Sequence, residues 1–292
     1  MTNQVRRVAV VTGAGGALGS AIGEALMGAG YHVAAMDRSR VALEAVGQVW
    51  GERGHSAFHL AVADQTVRQE VDEAVGEACA KGQLAGVVAN AGYAKFGGFL
   101  DMPPQVWQRH VDINLTGTFH VCQAAAQHMA GQRTGGWMTV TSSNLAMSHA
   151  DQVGAYCTTK AALLHMVRTA AAELGVHQIR VNAILPGVID TAMTTGMLEA
   201  PGVRSGLLAK TPLGRLGRPG DVAGLALFLA SEQASWITGA SILVDGGQSI
   251  YGQPAWTAQD RRVPHEPAWI SGYPADSGAA WVDDFTVLHE NA

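Results

Sequence analysis

The amino-acid sequence predicts an α/β fold: a doubly wound parallel sheet of the Rossmann type, in a single domain with an irregular C-terminal extension. Three observations predict it. Short β-rich runs alternate with longer alanine-rich stretches up to about residue 249. The runs are apolar at successive positions, as strands buried on both faces are, instead of at every second one. The first run, Val8–Val11, leads straight into a glycine cluster and then into helix-forming sequence.

In chain order, strands are predicted at Val8–Val11, His32–Met36, Ala57–Leu60, Gly86–Ala89, Trp137–Thr141, Arg180–Leu185 and Ser241–Val244. Helices are predicted at Leu18–Met27, Arg40–Val49, Val67–Ala80, Gln105–Met129, Ala155–Leu174 and Asp221–Leu229. Right-handed crossovers between parallel strands then place helices on both faces of the sheet. The stretch from Gly187 to Arg218 breaks the alternation with glycines, two prolines and scattered Met and Leu residues. So long a connection after a strand end reads as a lid over the ligand-binding edge.

Composition narrows the function classes. A formal net charge of −5 over 292 residues argues against a nucleic-acid partner, which calls for a basic stripe. The three cysteines, Cys79, Cys122 and Cys157, make no metal-ligand spacing and suit a reducing compartment. Arg6-Arg7 before Val8–Val11 imitates an export signal, but four apolar residues are too few for one. No run approaches the ~20 apolar residues of a membrane span. A cytoplasmic protein with no membrane segment and no metal is expected.

The glycine cluster carries the first chemistry. In Thr12-Gly13-Ala14-Gly15-Gly16-Ala17-Leu18-Gly19 the glycines let the backbone approach a pyrophosphate, and the following helix offers free N–H groups. Asp37 ends the second strand 18 residues after Gly19. A carboxylate there accepts the ribose hydroxyls of an adenosine and repels a 2′-phosphate, so NAD is the expected cofactor. Arg38 beside it is either solvated or a phosphate partner, and the solvated reading is preferred.

Tyr156 and Lys160 stand four residues apart in a helical segment, which puts them on one face. A tyrosine acting as a base near pH 7 needs its pKa lowered by about three units, roughly 4 kcal/mol. A neighbouring ammonium has the right sign for that. Ser143 lies 13 residues upstream, at the end of the fifth strand.

With these motifs together, the sequence resembles the classical short-chain dehydrogenase/reductases, from Val8 to about Gly247. The resemblance rests on Thr12-Gly13 to Gly19, Asn90-Ala91-Gly92, Asp112-Ile113-Asn114, Ser142-Ser143, Tyr156-Cys157-Thr158-Thr159-Lys160 and Pro186-Gly187 through Thr191. It implies that Tyr156 is the general acid/base and that Ser143 polarises the substrate oxygen. Lys160 would tune Tyr156 and bind the nicotinamide ribose, and Asn114 would hold a water in the proton relay. Asn90, Ala91 and Gly92 would flank the adenosine side. Ile189 and Thr191, after Pro186 and Gly187, would hold the carboxamide. Relatives commonly form homotetramers or homodimers.

The sequence departs from the family pattern at Ala17, Ala89 and Ala61. Ala61 stands where an aspartate would contact adenine, leaving that contact to the backbone of Val62, with Asp64 as a helix N-cap. His149 is read either as a substrate contact or as a solvated loop histidine. Leu145, Met147, Met193, Met197 and Phe96 suggest a hydrophobic, cyclic or aromatic, substrate. The expected function is NAD-dependent interconversion of a secondary alcohol and a ketone. Two alternatives stay open: a 3-oxoacyl thioester reductase served by an acyl carrier protein, docked through Arg109 and Arg133, and a dinucleotide-sensing regulatory protein without chemistry. Residues 250–292 hold Trp256, Trp269 and Trp281, and read as an ordered strap, across a subunit interface or within one subunit.

Overall fold

The computed structural model describes residues 5–250. The strap expected at 250–292 therefore lies outside the described residues but for Ile250.

Seven parallel strands form one sheet: β1 (Arg7–Thr12), β2 (His32–Asp37), β3 (Phe58–Val62), β4 (Gln83–Ala89), β5 (Gly136–Thr141), β6 (Ile179–Pro186) and β7 (Ser241–Val244). All seven predicted runs are strands. Their spatial order is β3-β2-β1-β4-β5-β6-β7. The order reverses direction between β1 and β4, and a crevice opens there at the strands' C-terminal ends.

Alternate residues of each central strand serve two cores. Val8 and Val10 of β1 face one cluster with Val121, Ala125 and Leu163, while Ala9 and Val11 face the other with Ile22, Leu26 and Leu229. The first face is covered by α3 (Arg68–Lys81), α5 (Thr118–Gln132) and α6 (Gly154–Leu174), the second by α1 (Ala17–Gly28), α2 (Arg40–Glu52) and α9 (Pro219–Ala230). Glycine makes one of these contacts possible. A Cβ on Gly23 would meet the Trp50 ring at 2.7 Å, so α1 admits the fully buried tryptophan of α2 only at a residue without one.

Three expectations need correction. The helix predicted over Gln105–Met129 is broken into α4 (Pro104–His110), a π-helical turn (Val111–Gly117) and α5. Such turns occur mostly as single turns within α-helices, often at functional sites; here Gln65 Nε2 donates to Ile113 O, within the turn, at 2.8 Å. Asp64 does not cap α3. Its Oδ1 accepts from Thr66 N at 2.9 Å and from the Thr66 hydroxyl at 2.8 Å, and Val67 takes the N-cap position. The stretch from Gly187 to Arg218 carries two short helices, α7 (Ala192–Leu198) and α8 (Val203–Ala209). Its ends are tied together by pairing of Ile189 with Gly217, and Arg215 forks onto Asp221 at 2.7 and 2.9 Å.

Candidate active site

A cavity of about 410 Å³ lies at the crevice between β1 and β4. One end of it is built from the turn after β1. Gly13 has φ +65°, and a Cβ there would meet Ala91 Cα at 2.9 Å. On Gly19 a Cβ would stand 2.2 Å from Gly13 O. Two chain segments thus close on each other with no room for side chains, which leaves the backbone itself as the surface a ligand meets. Thr12 holds the neighbouring loop: its hydroxyl oxygen accepts from Asn90 N and Ala91 N, each at 3.0 Å.

Asp37 closes this end. Oδ2 accepts from Gly15 N at 3.1 Å and Oδ1 from Ser39 N at 2.9 Å, so the carboxylate is oriented while keeping acceptor capacity. Arg38 also lines the cavity. Gly13, Gly16, Ala17, Leu18, Gly19, Asn90, Ala91 and Gly92 line it as well, with Pro186, Gly187, Ile189, Thr191 and Met193 further along. Gly15 acts through its bond to Asp37. Val62 is not among the lining residues; Ala63, Asp64 and Gln65 take that stretch of wall. A backbone cradle, an oriented carboxylate with acceptor capacity left over and a long cavity fit a dinucleotide.

Ser143, Tyr156 and Lys160 line the opposite end. Lys160 is buried, and its Nζ donates to Thr141 O at 2.8 Å. It stands 5.6 Å from the centre of the Tyr156 ring. Burial pushes the Lys160 pKa down to about 8. Burial likewise holds the Tyr156 phenol above its ordinary value, opposed by a hydrogen bond from Ser143 and reinforced by Cys157. This corrects the expectation of a depressed tyrosine. In the protein alone, desolvation of the phenolate outweighs the hydrogen bond from Ser143.

Asn114 is fully buried beneath these groups. Its Oδ1 accepts from Tyr93 N at 2.7 Å, and its Nδ2 donates to Tyr93 O at 2.9 Å and to Thr159 Oγ1 at 3.1 Å. The side chain therefore anchors the Tyr93 segment to α6. Leu145 is half-buried and His149 exposed, and neither lines the cavity. Of the five apolar residues singled out in the sequence, only Met193 does.

A wall residue, Gln65, and a residue behind the neighbouring loops, Gln248, escaped sequence reasoning. Gln65 is buried and bridges Ala91 O (3.4 Å) to Ile113 O (2.8 Å), linking the adenosine loop to the π-helical turn. Gln248 joins two loops on the far side. A lone glutamine in either context gives no sequence signal. Among the described residues no cluster of three or more His, Cys, Asp or Glu could hold a metal, and no helix is long and apolar enough to cross a membrane.

A backbone cradle and a Ser–Tyr–Lys group, its serine and lysine buried, on one cavity define a dinucleotide-fold dehydrogenase or reductase. Comparison with known proteins bears on the particular family. The family described as Enoyl-(Acyl carrier protein) reductase matches residues 13–249. The L-rhamnose 1-dehydrogenase (NAD(P)(+)) of Sphingomonas sp. (strain SKA58) is 37% identical over 248 residues, 84% of this chain and 96% of that one. The (3R)-3-hydroxyacyl-CoA dehydrogenase of Mus musculus is 37% identical over 261 residues, 85% of this chain and 99% of that one. The crystal structure of a short-chain type dehydrogenase/reductase from Mycobacterium marinum superposes with a TM-score of 0.79 at 36% identity, covering 83% and 95% of the two chains. The chain belongs to the short-chain dehydrogenase/reductase family.

Proposed function

We propose that this protein is an NAD-dependent oxidoreductase interconverting a secondary alcohol and a ketone. The observation that carries the reading is the sharing of one cavity by the cradle, Asp37, Ser143, Tyr156 and Lys160. Bound at the cradle, Asp37 and the Pro186–Thr191 wall, a nicotinamide dinucleotide supplies the acceptor for the hydride that leaves the carbinol carbon. Tyr156 Oη takes the hydroxyl proton of the alcohol, and returns it to the ketone oxygen in reduction. Ser143 Oγ–H donates to the same oxygen and stabilises its developing charge. Lys160, held by Thr141 O, keeps a cation beside Tyr156 and so favours the phenolate. Asn114 fixes the wall behind them.

NAD is preferred over NADP on the strength of Asp37, whose charge faces the ribose end. Exposed Trp107 on α4 and Phe119 on α5 support a homo-oligomer, tetramer or dimer. The preference for a hydrophobic substrate now rests on Met193, and relatives include a sugar dehydrogenase. The thioester reading is the second one, favoured by the hydroxyacyl-CoA relative. Of its two expected docking residues, Arg133 caps the end of α5 just before β5 begins, at the strands' N-terminal ends and away from the cavity at their C-terminal ends. Arg109 alone remains, stacked over the Tyr93 ring at 4.9 Å.

The test is NAD-linked oxidation of a panel holding L-rhamnose, a short polyol, cyclohexanol and a benzylic secondary alcohol, with a 3-hydroxyacyl-CoA as a fifth member. Turnover of any alcohol that Tyr156→Phe abolishes supports the reading. Absence of NAD-linked turnover, or turnover surviving in Y156F, sinks it.

A further inference from the structure

The segment after β7 reaches back to the loops beside the active-site cavity. Gly246 and Gly247 have φ +61° and +84°, which turn the chain sharply. Asp245 fixes that turn: Oδ1 accepts from Gly247 N at 3.0 Å and Oδ2 from Ser249 N at 2.8 Å. The turn aims the Gln248 side chain between two loops that flank the cavity. Gln248 Oε1 accepts from Val188 N at 3.3 Å and from Asn144 Nδ2 at 3.0 Å. The approach is possible because residue 187 is glycine; a Cβ there would stand 3.0 Å from Gln248 Oε1.

These bonds form a chain with a defined polarity. Val188 N–H is a backbone donor, so the end of the Gln248 amide facing it is the oxygen. That oxygen calls the NH₂ end of Asn144 toward it, and the buried Asn144 therefore presents Oδ1 to its neighbour Ser143. Ser143 Oγ–H donates to Asn144 Oδ1 at 3.4 Å, and the serine oxygen accepts from Leu145 N at 3.1 Å. The Ser143–Asn144 bond is long, so an arriving substrate oxygen can draw the serine proton away from it. Ser143 also bonds Tyr156, so Asn144 Oδ1 and the phenol compete for one proton; were Asn144 to turn round, its NH₂ group would donate to Ser143, and the serine proton would go to Tyr156 alone.

We propose that Gln248 is a positioning residue: by orienting the Asn144 amide it makes Asn144 Oδ1 compete with Tyr156 for the Ser143 proton, and so keeps that hydroxyl available to the substrate oxygen instead of committed to Tyr156. This rests on the reading of Ser143 and Tyr156 given above. Glutamate at 248 preserves an acceptor for both Val188 N–H and Asn144 Nδ2; methionine removes it.

The test uses the full-length protein and NAD. With the panel alcohols, Gln248→Met should lower kcat by about tenfold while KM for NAD moves less than about threefold, and Gln248→Glu should keep at least about a third of the wild-type kcat. A substrate-free arm follows Tyr156 titration by near-ultraviolet absorbance, subtracting Y156F. The midpoint should fall in Q248M and in Asn144→Ala, since both send the serine proton to Tyr156, and should stay in Q248E. Q248M added to N144A should cost nothing more, because the chain is already cut. Additive losses, an unmoved Tyr156 midpoint in N144A and Q248M, or equal behaviour of Q248M and Q248E would overturn the proposal. N144A carries the test if Q248M does not fold. A wild type that oxidises no panel alcohol sinks the assigned reaction, while the titration arm still decides the role of Gln248.

Discussion

Lys160 Nζ sits 5.6 Å from the centre of the Tyr156 ring and is held there by Thr141 O at 2.8 Å. The bond fixes a cation next to the phenol without a carboxylate to neutralise it. With the lysine pKa pushed down to about 8 by burial, the cation persists at neutral pH and is lost as pH rises through that value. At neutral pH a cation thus stands beside the phenol, whose own pKa burial holds above its ordinary value.

Removing the phenol hydroxyl tests its role directly. Tyr156→Phe is expected to cut kcat at least ~100-fold while dinucleotide affinity, read by quenching of tryptophan fluorescence, stays within a few-fold. Retention of kcat would overturn the assignment.

Lys160→Met removes the charge that favours the phenolate. The kcat/KM profile for alcohol oxidation should lose most of its neutral-pH activity, and the residual activity should climb toward high pH, where Tyr156 ionises unaided. The measurement is a pH–rate profile of both proteins. Superimposable profiles would show that Lys160 does not tune Tyr156.

Asp37 governs the choice of dinucleotide. Wild type should favour NAD over NADP by at least ~10-fold in kcat/KM, about 1.4 kcal/mol. Asp37→Ser should erode that ratio, because Arg38, which also lines the cavity, then meets a 2′-phosphate unopposed. Equal use of both cofactors by wild type would show that Arg38 already prevails.

The pairing of His32 Nε2 with His59 Nδ1 at 3.0 Å, on β2 and β3, makes the fold acid-sensitive. Burial, then His32 and Lys81, push the His59 pKa down to about 4, and burial lowers that of His32 as well. An unfolded histidine takes up its proton near 6.5, so the unfolded chain binds more protons between about 6.5 and 4. The stabilising contribution is complete above 6.5 and is lost as pH falls through that window. Thermal melting across it should show a falling Tm in wild type and a flatter response in a His32→Gln/His59→Gln double variant. Identical slopes would remove the pair as the cause.

Gly13→Ala should weaken dinucleotide binding and lower stability by about 1–2 kcal/mol, from the positive φ alone. The clash with Ala91 Cα adds to that. Fluorescence titration and urea unfolding read the two effects separately. Normal affinity in G13A would mean that the cradle tolerates a side chain.

Local chemistry made much of this legible. Each strand was found because unbroken apolar runs such as Val8–Val11 have no other place than a sheet covered on both faces. Tyr156 and Lys160 were found because a spacing of four on a helix fixes a shared face. The π-helical turn was missed because the pattern over Gln105–Met129 is that of an ordinary helix. The contact the turn makes with Gln65, 48 residues away, leaves no mark on that pattern.

By itself, then, the sequence determined the order of strands and helices, the glycine cradle with Asp37, and the Ser143–Tyr156–Lys160 set, all encoded in periodicity or short spacing. Only the tertiary structure decided which of them share a cavity, that Asn114 spends its amide on Tyr93 and Thr159, and that Gln248 grips Asn144 across 104 residues. It also decided the tyrosine's protonation balance, because desolvation depends on what the rest of the chain packs around a group and leaves no mark on the residues beside it.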